Sequence, residues 1–173
     1  MKLAFVFSIL LFNFGLDLSF AEGDCVANIT AYNEAGLKKR KSIFASNAKN
    51  IKKLHPSKLV QYGFEDRATL KNGVEVVYVT GGCAHYGFSF LFSGKELVAV
   101  KETEKLNRAE QLIKDLKLVN DTEKDQLLKA IADAKSKKVI PTAEVTELPC
   151  GDAYCELTDR NDMSVKIGYS FAL

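Results

Sequence analysis

From residue 67 onward the hydrophobic period of this chain changes twice, and that constrains the fold more than any single motif. Around residues 67–92 apolar residues alternate every second position, as on a pleated strand. Across 106–134 they recur every third or fourth position, as on a helix, and over 139–171 the alternation returns. Strands, helices and strands again, in blocks rather than in strict alternation, describe an α+β domain with an antiparallel sheet.

The first block resolves into three strands. Arg67-Ala68-Thr69-Leu70, residues 74–80 and residues 86–92 are rich in β-branched and aromatic side chains. Lys71-Asn72-Gly73 joins the first two, because Asn-Gly accepts the positive φ angles of a tight hairpin, and Gly81-Gly82 ends the second. A central meander is expected.

In the helical block, Leu106, Ala109, Leu112, Ile113 and Leu116 form one apolar stripe and Leu127, Leu128, Ile131 and Ala134 another. Asn120-Asp121-Thr122 stops the first helix and caps the second, and Glu123 and Asp125 place negative charge in the new first turn. A short antiparallel helical pair should cover one sheet face. The last block gives an extended stretch over 139–147, a strand over 154–158, a turn at Asp159-Arg160-Asn161-Asp162 and a final strand over 163–171. In that strand Met163, Val165, Ile167, Tyr169 and Phe171 should share one face.

Ahead of the meander lies a basic segment. Between Gly36 and Ser57 stand Lys38, Lys39, Arg40, Lys41, Lys49, Lys52 and Lys53 and no acidic residue, which leaves 17 basic against 22 acidic residues elsewhere. Leu37, Ile43, Phe44, Ala48, Ile51 and Leu54 interleave with these lysines, and the spacing predicts an N-terminal amphipathic basic helix over 37–54, ended by His55-Pro56.

The extreme N-terminus has the form of an export leader. Lys2 is followed by an apolar run over 3–12, and Ser19-Phe20-Ala21 puts small residues three and one positions before a cut. Asn13 and Asp17 interrupt the run, which is shorter than the roughly 20 apolar residues of a spanning helix. Residues 1–21 are therefore expected to be a signal peptide and 22–173 a single exported globular domain, periplasmic or secreted, with no membrane span after cleavage. The composition of that domain, 47% hydrophobic and 27% charged over the whole chain, suits a packed core.

Export changes how the cysteines read. Cys25, Cys83, Cys150 and Cys155 all follow the cut and would enter an oxidising space, where disulfides are the default. Cys150-Gly151-Asp152-Ala153-Tyr154-Cys155 closes locally, which leaves Cys25 for Cys83.

Candidate chemistry is thin. Gly81-Gly82-Cys83-Ala84-His85-Tyr86-Gly87 places a thiol two positions from an imidazole, the makings of a Cys83/His85 nucleophile and base. A Cys83 bonded to Cys25 has no thiolate to offer, and a zinc set of Cys83, His85, Cys150 and Cys155 fails for the same reason. The acidic pairs Glu65-Asp66, Glu102 with Glu104, and Asp159 with Asp162 fall in expected turns and helix starts, where carboxylates cap rather than catalyse. No cofactor motif occurs. Asn28-Ile29-Thr30 and Asn120-Asp121-Thr122 match the N-glycosylation triplet. Gly87-Phe88-Ser89-Phe90 echoes Gly168-Tyr169-Ser170-Phe171, too briefly to mark a duplicated unit.

The expectation is a non-catalytic periplasmic or secreted binding protein, an inhibitor or immunity factor against an exported enzyme being one form of it. Lys38, Lys39, Arg40, Lys41, His85 and Tyr86 are its candidate binding residues, and a protein or an anionic envelope polymer, not nucleic acid, its partner. The rivals are a small envelope hydrolase using Cys83 and His85, and a structural envelope component.

Overall fold

The computed structural model describes residues 35–60, 63–82, 85–142 and 144–172. The expected leader, Cys25, Cys83 and the first glycosylation triplet lie outside the described residues.

Eight strands build one antiparallel sheet: β1 (Ile51–Leu54), β2 (Lys58–Val60), β3 (Gly63–Leu70), β4 (Glu75–Gly81), β5 (His85–Ser93), β6 (Val145–Leu148), β7 (Tyr154–Asp159) and β8 (Ser164–Ala172). The spatial order is β1-β3-β4-β5-β8-β7-β6. β1 and β2 share the outer edge of β3, pairing with its residues 68–70 and 63–65. Between β5 and β6 run a single turn of 3₁₀ helix (Glu102–Glu104) and two α-helices, α1 (Lys105–Asp115) and α2 (Thr122–Ser136).

The meander forms as its turn chemistry dictates. Gly73 sits at φ +89° between β3 and β4, and the Leu70 amide donates to the Val74 carbonyl at 2.8 Å across that hairpin. The sheet then sorts its side chains by parity. Val76 and Tyr78 on β4, Phe88, Phe90 and Phe92 on β5, and Val165 and Ile167 on β8 point to one face and are buried. The helices supply the other half of the core with Leu106, Ala109, Ile113, Leu127, Ile131 and Ala134, the stripes expected from their spacing.

At the centre, β5 pairs with β8 so that Phe88 faces Tyr169, with Gly87 opposite Ser170 and Ser89 opposite Gly168. The Phe88 and Tyr169 rings stack at 5.4 Å and 17°. The two echoing tetrapeptides are thus partners across the seam where the meander β3-β4-β5 meets the meander β6-β7-β8. Ring stacking at the seam, with small residues on the opposite face, is what both segments share.

Two expectations change. The basic segment over 37–54 is not a continuous helix: the described residues hold a helical turn at 35–37, turns from 38 to 50, and strand β1 at Ile51–Leu54. Tertiary pairing takes this backbone instead. The Ala45 amide donates to the Lys117 carbonyl at 2.9 Å, and the Val119 amide to the Ile43 carbonyl at 2.7 Å, which clamps the segment to the α1–α2 connection. Among the described residues of 139–147, strand structure is confined to β6, beginning at Val145. Within the expected Asn120-Asp121-Thr122 boundary the side-chain bond at the start of α2 is made by Asn120, which accepts from the Thr122 amide at 3.0 Å, while the side chain of Asp121 makes no capping bond.

Cys150 and Cys155 are bonded to each other, with Cα atoms 6.1 Å apart, as local closure requires. The loop is short, so opening it with the pair Cys150→Ser and Cys155→Ser is expected to cost about 2 kcal/mol. Urea denaturation of the double variant against the parent reads this directly.

Candidate functional site

The basic segment, the sheet and α2 meet at the β4–β5 hairpin end of the sheet and leave a cleft of about 490 Å³. Arg40, Lys41, Ser42 and Ile43 form one rim, and Asn120, Thr122, Glu123 and Gln126 the other. The aromatic residues Tyr78, Tyr86, Phe88, Tyr169 and Phe171 form its floor and wall. Three of the expected binding residues, Arg40, Lys41 and Tyr86, therefore share one site although 46 positions separate the outer two.

Asp66 holds the first rim in place. This fully buried carboxylate on β3 accepts from the Arg40 guanidinium at 2.8 Å, from the Ile43 amide at 3.1 Å and from the Ser57 hydroxyl. Arg40 also lies over the Phe64 ring, 4.5 Å from its centroid. Arg40 is thus a structural cation committed to Asp66, whereas Lys38, Lys39 and Lys41 are exposed.

The floor is built around Glu123. The Tyr78 hydroxyl, on a fully buried side chain, lies 2.8 Å from both carboxylate oxygens, and the Tyr86 hydroxyl lies 3.4 Å from Oε1 while accepting from the Thr80 hydroxyl at 3.0 Å. Burial, with the Glu123 charge beside it, pushes the Tyr78 phenol far above the usual tyrosine range, so it stays a neutral donor. Tyr86 and Phe171 pack at 5.7 Å, and both remain more than a third exposed, at 36% and 38%.

The raised phenol has a consequence at alkaline pH. Above about pH 10 the unfolded chain ionises at Tyr78 while the folded chain does not, so this group removes about 1.4 kcal/mol of stability per pH unit. Tyr78→Phe is expected to cost about 1.5–3 kcal/mol at neutral pH, through loss of a hydrogen bond to a charged acceptor. Urea titrations from pH 9 to 11 should show the gap between the two proteins narrowing as pH rises.

The remaining candidates fall elsewhere. His85 opens β5 opposite Ala172 in register, and its neighbour Cys83 lies outside the described residues. Glu65 and Asp66 stand within β3, not in a turn, and adjacent strand positions send them to opposite faces. On the open face, burial raises the Glu65 carboxyl but hydrogen bonds from Arg67 and Lys58 outweigh it and hold it below the usual range. Asp159 ends β7 fully buried against Arg108. Glu102 and Glu104 are exposed in the turn leading into α1, as expected of a helix start. Among the described residues no three His, Cys, Asp or Glu side chains gather as metal ligands, and no helix is long and apolar enough to cross a membrane.

A second hollow of about 460 Å³ lies on the sheet's other face, over Gly63, Gly81, Gly87 and Gly168. Gly63 is required there, since a Cβ would stand 1.9 Å from the Thr80 carbonyl oxygen.

Tyr78, Thr80, Glu123, Tyr169 and Phe171 were not legible as site residues. The available signal was Tyr78: a phenol at an inward position of a buried strand must find an acceptor. No known protein family, curated protein or solved structure matches the chain.

Proposed function

We propose that this is a non-catalytic binding protein of the periplasm or an extracellular space, of the inhibitor or immunity-factor kind, which seats a protein or an anionic envelope polymer at the cleft. The observation that supports it is the convergence of Arg40, Lys41 and Tyr86 on one cavity walled by partly exposed aromatic rings. Exposed aromatic side chains beside fixed charges are the usual anchors of a binding surface. The bonded Cys150 and Cys155 fit an oxidising compartment.

Lys41 on the rim and Lys38 and Lys39 just ahead of it in the chain are exposed, so these, and not Arg40, are the residues to reverse. The triple variant to glutamate is expected to weaken capture of the partner from envelope extracts by about tenfold or more and to flatten its salt dependence. Binding indifferent to both salt and the triple reversal would remove the basic rim from the account. Thiol titration of the natively purified protein separates this reading from the hydrolase: four blocked cysteines are expected, and an alkylatable Cys83 would favour the enzyme.

A further inference from the structure

Glu123 differs from the buried carboxylates among the described residues. Asp66 is paired with Arg40, Asp159 with Arg108, and Glu65 with Lys58 and Arg67. Glu123 is half-buried, and its partners among the described residues are two neutral phenols, with no ion pair. A carboxylate withdrawn from water gains from a cation at close range.

The surroundings of Glu123 favour one kind of cation. Tyr86 and Phe171, both partly exposed, line the same cleft, and Tyr169 packs 6.2 Å from Phe171. Ring faces carry negative charge density that attracts guanidinium and ammonium groups, and their apolar surface accepts the methylene stem of such a group. A small, strongly hydrated metal ion would gain nothing from these rings.

We propose that the cleft takes an organic cation, a guanidinium or ammonium group, paired with Glu123 and lying against Tyr86 and Phe171. This deepens the binding reading and rests on it: the partner presents a basic anchor to the cleft while its acidic surface meets Lys38 and Lys39. The cations of the rim leave the position open. Arg40 is held by Asp66, and Lys41 is exposed.

The test is an NMR titration of the ¹⁵N-labelled mature protein with Nα-acetyl-arginine amide, and with the neutral citrulline counterpart. Shift changes at the amides of Glu123, Tyr86 and Phe171 are expected with arginine and not with citrulline. Glu123→Gln, which keeps an acceptor for Tyr78, should weaken arginine binding by about tenfold. Phe171→Ala, at an exposed ring, should weaken it by about two- to fivefold. Thermal unfolding of each variant separates lost binding from lost fold.

A peptide with one central arginine that binds more tightly than the capped amino acid assigns the cation to a protein partner. Equal affinity, with tetramethylammonium binding as well, assigns it to a free amine. Equal shifts with citrulline, affinity unchanged in folded Glu123→Gln, or no shifts at the cleft at millimolar arginine would each overturn the proposal. If those failures occur while capture from envelope extracts persists, only the cation is lost. If capture also fails, the binding reading goes with it.

Discussion

Replacing Asp66 by alanine is expected to remove about 3–5 kcal/mol of stability and to unfasten the basic segment from the sheet. Asp66 is fully buried and gathers three donors from the segment and its continuation: the Arg40 guanidinium, the Ile43 amide and the Ser57 hydroxyl. Removing the carboxylate leaves the guanidinium and the amide without their acceptor inside a partly closed site. The second clamp, to residues 117 and 119, holds the segment at 43–45 and not at Arg40. Urea denaturation measures the loss. Hydrogen exchange locates it, with the amides at 40–43 losing protection out of proportion to those of β4 and β5. Since the same segment forms one rim of the cleft, binding should fall together with that protection. A fall in stability below about 1 kcal/mol would mean that the clamp at 43–45 suffices.

Arg108→Ala is expected to have an effect of similar size, about 3–5 kcal/mol, at the opposite end of the sheet. Arg108 on α1 makes a two-pronged pair with the fully buried Asp159, bonds Asn161 at 2.8 Å, and also reaches the Val98 carbonyl. Asn161, at φ +61°, ties the node to Val100 through bonds of 3.1 and 3.0 Å in both directions. Truncating the arginine strands a charge where water cannot reach it. The informative companion is the apolar pair Arg108→Leu with Asp159→Leu, which should recover part of the loss because neither charge then remains to be desolvated. A double variant as unstable as Arg108→Ala would place the cost in the loops held by Asn161 instead of in the stranded carboxylate.

These two nodes show why part of the molecule was legible and part was not. Alternation and turn chemistry are local, so the hairpin at Asn72-Gly73, the strands β4, β5 and β8, and the two helices could be read from their own residues. The basic segment has helix-like spacing too, but its fate depends on what it meets. Asp66 and the connection at 117–119 offer its backbone and its arginine better partners than a solvated helix would. Asp66 and Asp159 read as turn carboxylates for the same reason, since the arginines paired with them stand 26 and 51 positions away.

The sequence by itself determined the α+β class, the sidedness of the sheet, the helical stripes and the closure of Cys150 on Cys155, because each is set by spacing within a few residues. It also brought Lys41 and Tyr86 forward as candidates, without bringing them together. The tertiary structure alone decided that they share a cleft, that Arg40 serves Asp66, and that Glu123 stands among aromatic rings with neutral partners. Those facts depend on contacts between elements about 20 to 80 positions apart, and no periodicity records them.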